Sequence, residues 1–146
     1  MYKHILLATD GSDCSCRAAE RAASIAESYG SKVTLLFVEP LPQLPYGIAD
    51  IGVTEDYVEL QDEAGASSRD AAIACSRSMF DKRGIKFDRA EARGPAGDTI
   101  VAVSAAIDVD LIVIGHRGLN AFQSFLLGST SERVVHAAKC SVLVVR

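Results

Sequence analysis

Apolar positions in this chain alternate between short unbroken runs and stripes at helical spacing. The run Ile5-Leu6-Leu7-Ala8 inside "KHILLATD" (3–10) predicts a strand buried on both faces, as in a parallel sheet. Asp10-Gly11-Ser12 then reads as a turn ending in a helix-capping residue. Over 13–29 the stripe Ala18, Ala19, Ala22, Ile25, Ala26 and Tyr29 predicts a helix, closed by Gly30. "KVTLLFVE" (32–39) predicts the second strand. Pro40, Pro42 and Pro45, with Gly47 and Gly52, forbid a long regular element between 40 and 53, and a loop of that length points to function or mobility. A helix is expected over about 56–83, with Leu60, Ala64, Ala71, Cys75 and Met79 on its inner face, Gly65 as a weak point and Gly84 as its stop. "IKFDRAEAR" (85–93) puts Ile85, Phe87, Arg89 and Glu91 on one face, so this third strand is expected at a sheet edge. "GPAGD" (94–98) reads as a turn and cap leading into a helix over about 97–107, where Asp98 would repel phosphate. "DLIVIG" (110–115), a helix from Ser131 to Ala138 and "SVLVVR" (141–146) complete the pattern. Strands and helices in strict alternation predict a parallel sheet covered on both faces, with five strands and four helices.

Composition narrows this picture. A chain of 146 residues suits one domain, 1–146, and 49% hydrophobic residues are enough for a full core. A net charge of −4 excludes a protein that coats nucleic acid or an anionic membrane. No segment reaches the roughly 18 apolar residues of a membrane span. "MYKHILLATDG" does not read as a secretory signal, so a soluble cytoplasmic protein is expected. Cysteines 14, 16, 75 and 140 are then expected to be reduced. Cys14-Ser15-Cys16 lacks the further ligands of a zinc site and reads as small residues on a first helical turn. A helix N-terminus can lower a thiol pKa, which leaves oxidation sensitivity as a side expectation.

Ligands of open parallel sheets bind beyond the carboxyl ends of the strands, where the strand order reverses. The residues to inspect therefore follow the first strand (Ala8, Thr9, Asp10, Gly11) and the fourth (Gly115 to Ser131). The second group suits an anion. Glycines let backbone N–H groups approach closely, a helix N-terminus carries partial positive charge, and Ser129, Thr130 and Ser131 add hydroxyls. His116, Arg117 and Arg133 are candidate cations. Ser129-Thr130-Ser131-Glu132 equally fits a capping box, in which Ser129 accepts from the N–H three residues on and Glu132 reaches back. From the residues alone, cradle and cap stand level. Neither G-x-x-x-x-G-K-[ST] nor a G-x-G-x-x-G after the first strand occurs.

Gly115-His116-Arg117-Gly118, nine residues, then Gly128-Ser129 spell G-2x-G-9x-G-[ST]. With "ILLATDGS", "DLIVIGHRG" and "STSERVVHAAKCSVLVVR", the whole chain resembles the universal stress protein (UspA-like) family, in its ATP-binding subgroup. The resemblance implies a three-layer Rossmann-like fold (adenine nucleotide alpha hydrolase-like), with a five-stranded parallel sheet of order 3-2-1-4-5. It implies that Ala8, Thr9, Asp10 and Val38 line an adenosine pocket and that Ile114 and Gly115 flank the ribose. Gly118, Gly128, Ser129, Thr130 and Ser131 would hold the phosphates of ATP, with Mg2+ or Mn2+ accompanying the nucleotide. It also implies a homodimer through Val142 to Arg146. Family members often have proline where Ala8 and Ser141 stand; neither change removes a contact group.

These residues lead to an ATP-binding regulatory module of the stress response, with no residue singled out as catalytic. The alternatives are a slow ATPase or self-phosphorylating enzyme, with Asp10 orienting metal or water and Ser129 accepting phosphoryl, and an interaction protein that no longer uses nucleotide. His4 and His136 are expected on a strand surface and a helix surface.

Overall fold

Five strands form one parallel sheet in the order β3-β2-β1-β4-β5. They are β1 (His4–Thr9), β2 (Lys32–Glu39), β3 (Phe87–Arg93), β4 (Leu111–Gly115) and β5 (Ser141–Val145). Four helices join them: α1 (Asp13–Tyr29), α2 (Glu55–Lys82), α3 (Ala96–Ala106) and α4 (Ser129–Ala137). The computed structural model describes residues 1–41, 55–116 and 128–146, with 55–68 as backbone.

The alternation of side chains along each strand splits the core in two. On one face Ile5, Leu7, Val33, Leu35, Leu111 and Val113 pack under α1 and α2, against an alanine-lined stripe of α1 and Ala72, Ile73 and Phe80 of α2. On the other, Leu6, Ala8, Leu36, Ile112 and Ile114 pack against Ile100 of α3 and Val134 of α4. Leu6, Leu7, Leu35 and Leu36 are fully buried, each contributing about 1.5–3 kcal/mol over an exposed side chain. Because β1 is central and buried on both sides, its sequence shows an unbroken apolar run rather than alternation.

Element order, strand order and the edge position of β3 agree with the sequence reading. Three details differ. The buried stripe of α2 runs through Ala72, Ile73, Ser76 and Phe80, whereas Ala71 is exposed and Cys75 and Met79 are half-buried. Counting apolar residues rotated the stripe by one position because its central member, Ser76, is polar. Its hydroxyl donates to Thr9 Oγ1 at 3.2 Å. The side chains of the expected inner-face residues Leu60 and Ala64, and most of the proline-rich loop, lie outside what is described. Second, α4 begins at Ser129 rather than Ser131.

Third, the cysteines are not all reduced: Cys16 of α1 and Cys75 of α2 form a disulfide, while Cys14 and Cys140 are free. Helical periodicity cannot show that two helices lie side by side on one sheet face, which is what brings together cysteines 59 residues apart. Among the described residues no group of three His, Cys, Asp or Glu is placed to hold a metal ion. No described helix is long and apolar enough to cross a membrane.

Candidate functional site

Strands β1 and β4 lie side by side, with Ala8 opposite Ile114. Beyond them the chain diverges, from β1 into α1 on one face and from β4 towards α4 on the other, so a crevice opens where the strand order reverses. Ala8, Val38 and Ile114 all face the α3/α4 side and form its apolar floor. Thr9 points the other way. Its buried hydroxyl donates to the Ala72 carbonyl at 3.2 Å and accepts from Ser76 and, at 3.4 Å, from the Gly11 N–H. Of the implied pocket residues after β1, Thr9 therefore offers the crevice only its backbone.

Two close approaches shape the turns here. Gly11 has φ +80°, and a Cβ on it would stand 2.7 Å from the Ala72 Cα, so the turn lies directly on α2. A Cβ on Gly115 would stand 2.9 Å from the Cys14 carbonyl carbon and 3.0 Å from the Ser15 nitrogen, so the end of β4 touches the first turn of α1. Asp10 is half-buried between them. Its Oδ1 accepts from the Ser12 N–H at 3.0 Å, which fixes the carboxylate at the mouth of the crevice.

The start of α4 is anchored to the end of β4. Gly128 N–H donates to the His116 carbonyl at 3.1 Å, and His116 N–H donates to Val145 O at 2.6 Å. The Ser131 hydroxyl is buried between the Gly128 carbonyl (2.8 Å) and the His116 carbonyl (3.1 Å). Gly128 occupies the N-cap position, and no side chain caps the helix. The capping box, one of the two readings the residues left level, does not form, because the helix starts a residue too early for Ser129 to serve as its cap. Among the described residues the N–H groups of the first turn, at Ser129, Thr130 and Ser131, therefore have no side-chain cap.

The contrast with α1 is informative. Ser12 caps that helix, accepting from Ser15 N–H at 3.2 Å, and Asp13 adds a negative charge to its first turn. Helix α4 likewise carries an acidic residue, Glu132, in its first turn, so the two starts differ in the side-chain cap, which α1 has and α4 lacks among the described residues. Helix α3 also lacks a side-chain cap, although the turn before it forms as expected. Its Asp98 accepts from Arg133 Nε at 2.6 Å, so that candidate cation is engaged by a carboxylate. His116 is buried. Gly118, Arg117 and the nine-residue spacer lie outside the described residues.

Ala8, Val38 and Ile114 share one apolar cluster, Asp10 and Gly115 adjoin the start of α1, and Gly128, Ser129 and Thr130 open α4 beside His116, with Thr9 and the Ser131 hydroxyl turned inwards. Sequence reasoning missed Ala72 and Ser76, which support the Asp10 turn from beneath. The available signal was the helical spacing of Ala72, Ser76 and Phe80, hidden by the polarity of the middle residue.

Comparison with known proteins finds relatives along the whole chain. A universal stress protein of Methanocaldococcus jannaschii, MJ0531, is 34% identical over 146 residues, covering 100% of this chain and 83% of its own. The structure of UspA from Lactobacillus plantarum superposes with a TM-score of 0.80 at 27% identity, covering 99% of this chain and 98% of that one. A universal stress protein solved in complex with cAMP superposes with a TM-score of 0.71 at 28% identity, covering 99% and 97%. The sequence model of the Universal stress protein family matches residues 1–146, and the chain belongs to that family.

Proposed function

We propose that this protein is an ATP-binding regulatory module of the stress response. The observation that carries the reading is the start of α4, which has no side-chain cap among the described residues and follows β4 where the strand order reverses next to β1. Phosphate oxygens would accept from the N–H groups of Ser129, Thr130 and Ser131, with the Ser129 and Thr130 hydroxyls beside them. The adenosine would rest on Ala8, Val38 and Ile114, with the Asp10 carboxylate at the rim and Gly115 beside the ribose. Gly118 would complete the cradle. The relative solved with cAMP supports an adenine nucleotide as the ligand class.

Mg2+ or Mn2+ fits this site only as a companion of the phosphates. Asp10 is the carboxylate at the crevice mouth, one of its oxygens is engaged by Ser12, and the described residues supply no three-ligand cluster. One carboxylate plus phosphate oxygens is the usual donor set for Mg2+, which would neutralise phosphate charge. Binding is favoured over phosphoryl transfer, since transfer needs concentrated positive charge and Arg133 is paired with Asp98. The reading includes a cytoplasmic homodimer joined through Val142 to Arg146.

Calorimetric titration with ATP and Mg2+ tests it, and saturable binding is expected. Ser129→Pro places proline at the first helical position, where the helix tolerates it, and removes one N–H and one hydroxyl. It is expected to weaken ATP about 10- to 100-fold, the loss of a hydrogen bond to a charged group. Ser129→Ala, which keeps the N–H, is expected to weaken it less. No saturable binding by the unaltered protein would sink the reading.

A further inference from the structure

Cys16 and Cys75 bridge two helices with their Cα atoms 5.8 Å apart. The proposed binding of nucleotide does not use them, but their position bears on it. Cys16 sits in the first turn of α1, its N–H donating to Ser12 O at 3.0 Å. Cys75 adjoins Ser76 and lies one turn from Ala72, the two α2 residues that hold the end of β1. Ala72 is also the wall beneath Gly11. The bridge therefore ties together the two helices that meet at the Asp10 turn. Both cysteines are half-buried, which leaves them within reach of small thiols. A separation of 5.8 Å falls within the roughly 4.4–6.8 Å that a disulfide spans without backbone movement, so the bond can open and close with the helices in place.

We propose that Cys16 and Cys75 form a reversible thiol–disulfide exchange site that regulates the Asp10 turn and, through it, the crevice; this rests on the nucleotide-binding reading above. The oxidant is a low-molecular-weight disulfide. One cysteine thiolate attacks it, forming a mixed disulfide and releasing one small thiolate. The second cysteine thiolate attacks the protein sulfur of the mixed disulfide, expelling the other small thiolate. Two protein thiols are oxidised and one small disulfide is reduced to two thiols, which take up the protons released. A reducing thiol pool runs the sequence backwards. In the oxidised protein α2 is held against the turn and the crevice is preorganised for ligand. In the reduced protein packing, the Thr9 hydroxyl contacts and surface ion pairs, that of Arg83, just past α2, with Glu27 of α1 among them, hold it without the covalent tie.

The full chain equilibrated in oxidised or in reduced glutathione tests this. Hydrogen exchange of residues 8–16 and 69–80 is followed in each state, and ATP affinity is measured by calorimetry. The oxidised protein is expected to exchange more slowly in both segments and to bind ATP about fivefold or more tightly. Cys16→Ser/Cys75→Ser is expected to behave as the reduced protein in both buffers, whereas Cys14→Ser/Cys140→Ser keeps the difference. A pair that stays reduced in oxidised glutathione, equal exchange in the two states, or ATP binding of equal strength overturns the proposal. Absence of ATP binding in both states instead sinks the nucleotide reading, and the exchange difference then decides alone whether the bridge controls the turn.

Discussion

At the scale of single residues, the site is built by atoms that are missing. Gly11 and Gly115 both lie where a Cβ would enter a neighbouring backbone, but they differ in conformation. Gly11 also has φ +80°, a region that costs any L side chain. Gly11→Ala therefore combines backbone strain with a contact at 2.7 Å on Ala72, while Gly115→Ala has contacts alone, at 2.9 Å on the Cys14 carbonyl carbon and 3.0 Å on the Ser15 nitrogen. The first is expected to cost about 2–4 kcal/mol. That corresponds to a fall of roughly 5–15 °C in Tm for a domain of this size. The second is expected to cost less, about 1–3 kcal/mol. Thermal unfolding of the two variants checks the order, and an equal effect would mean that φ at Gly11 carries no strain.

At the scale of elements, what was legible in the sequence follows from what each element needs locally. Strand β1 and helix α1 were readable to within a residue because burial and capping are encoded in adjacent positions, as with Ser12 and the alanine stripe. The α4 start differs from the sequence reading because the same four residues suit a capping box or an anion cradle, and where the helix begins is fixed by a contact outside them, Gly128 N–H to the His116 carbonyl. The disulfide and the Ala72–Thr9–Ser76 contacts depend on which helices become neighbours, information that no single segment holds.

Another long-range contact at this scale is Asp110. Its Oδ2 accepts from Lys3 N–H at 2.7 Å and His4 N–H at 2.9 Å, tying the start of β1 to that of β4. Those bonds, from His4 first and Lys3 next, hold its carboxyl below the ordinary 3.8. A depressed folded value contributes stability that is present above the unfolded value and is lost as pH falls through the folded one. Asp110→Asn keeps an acceptor but loses the charge. The stability gap between wild type and this variant is expected to stay constant at neutral pH and to close below about pH 4. Urea unfolding across pH 2–7 reads it; a gap independent of pH would show that the carboxylate charge contributes nothing.

At the scale of the whole molecule, the sheet has two edges, and they are finished differently. Strand β3 carries Asp88, Arg89, Glu91 and Arg93, which form ion pairs with Lys32, Arg69, Asp70 and Glu39. Such surface pairs add little stability, but they make an edge unsuitable for pairing with another chain. Strand β5 reads Ser-Val-Leu-Val-Val and has no charge within it. Ser141 N–H donates to Asp110 O and Val145 O accepts from His116 N–H, so residues 141, 143 and 145 direct their backbone groups to β4. By the alternation of a parallel ladder, the N–H and C=O of Val142 and Val144 point outwards. A second copy related by a two-fold axis would satisfy them by antiparallel pairing, extending the sheet across the interface. Val144→Pro removes one outward donor without touching the ladder to β4, and proline is tolerated on an edge strand. Sedimentation velocity over a range of concentrations is expected to give a dimer for the unaltered protein and a monomer, still folded by circular dichroism, for Val144→Pro. A proline at Leu143 would instead break the ladder to β4 and lower Tm as well. If Val144→Pro sediments as the unaltered protein does, the β5 edge is not where the chains meet.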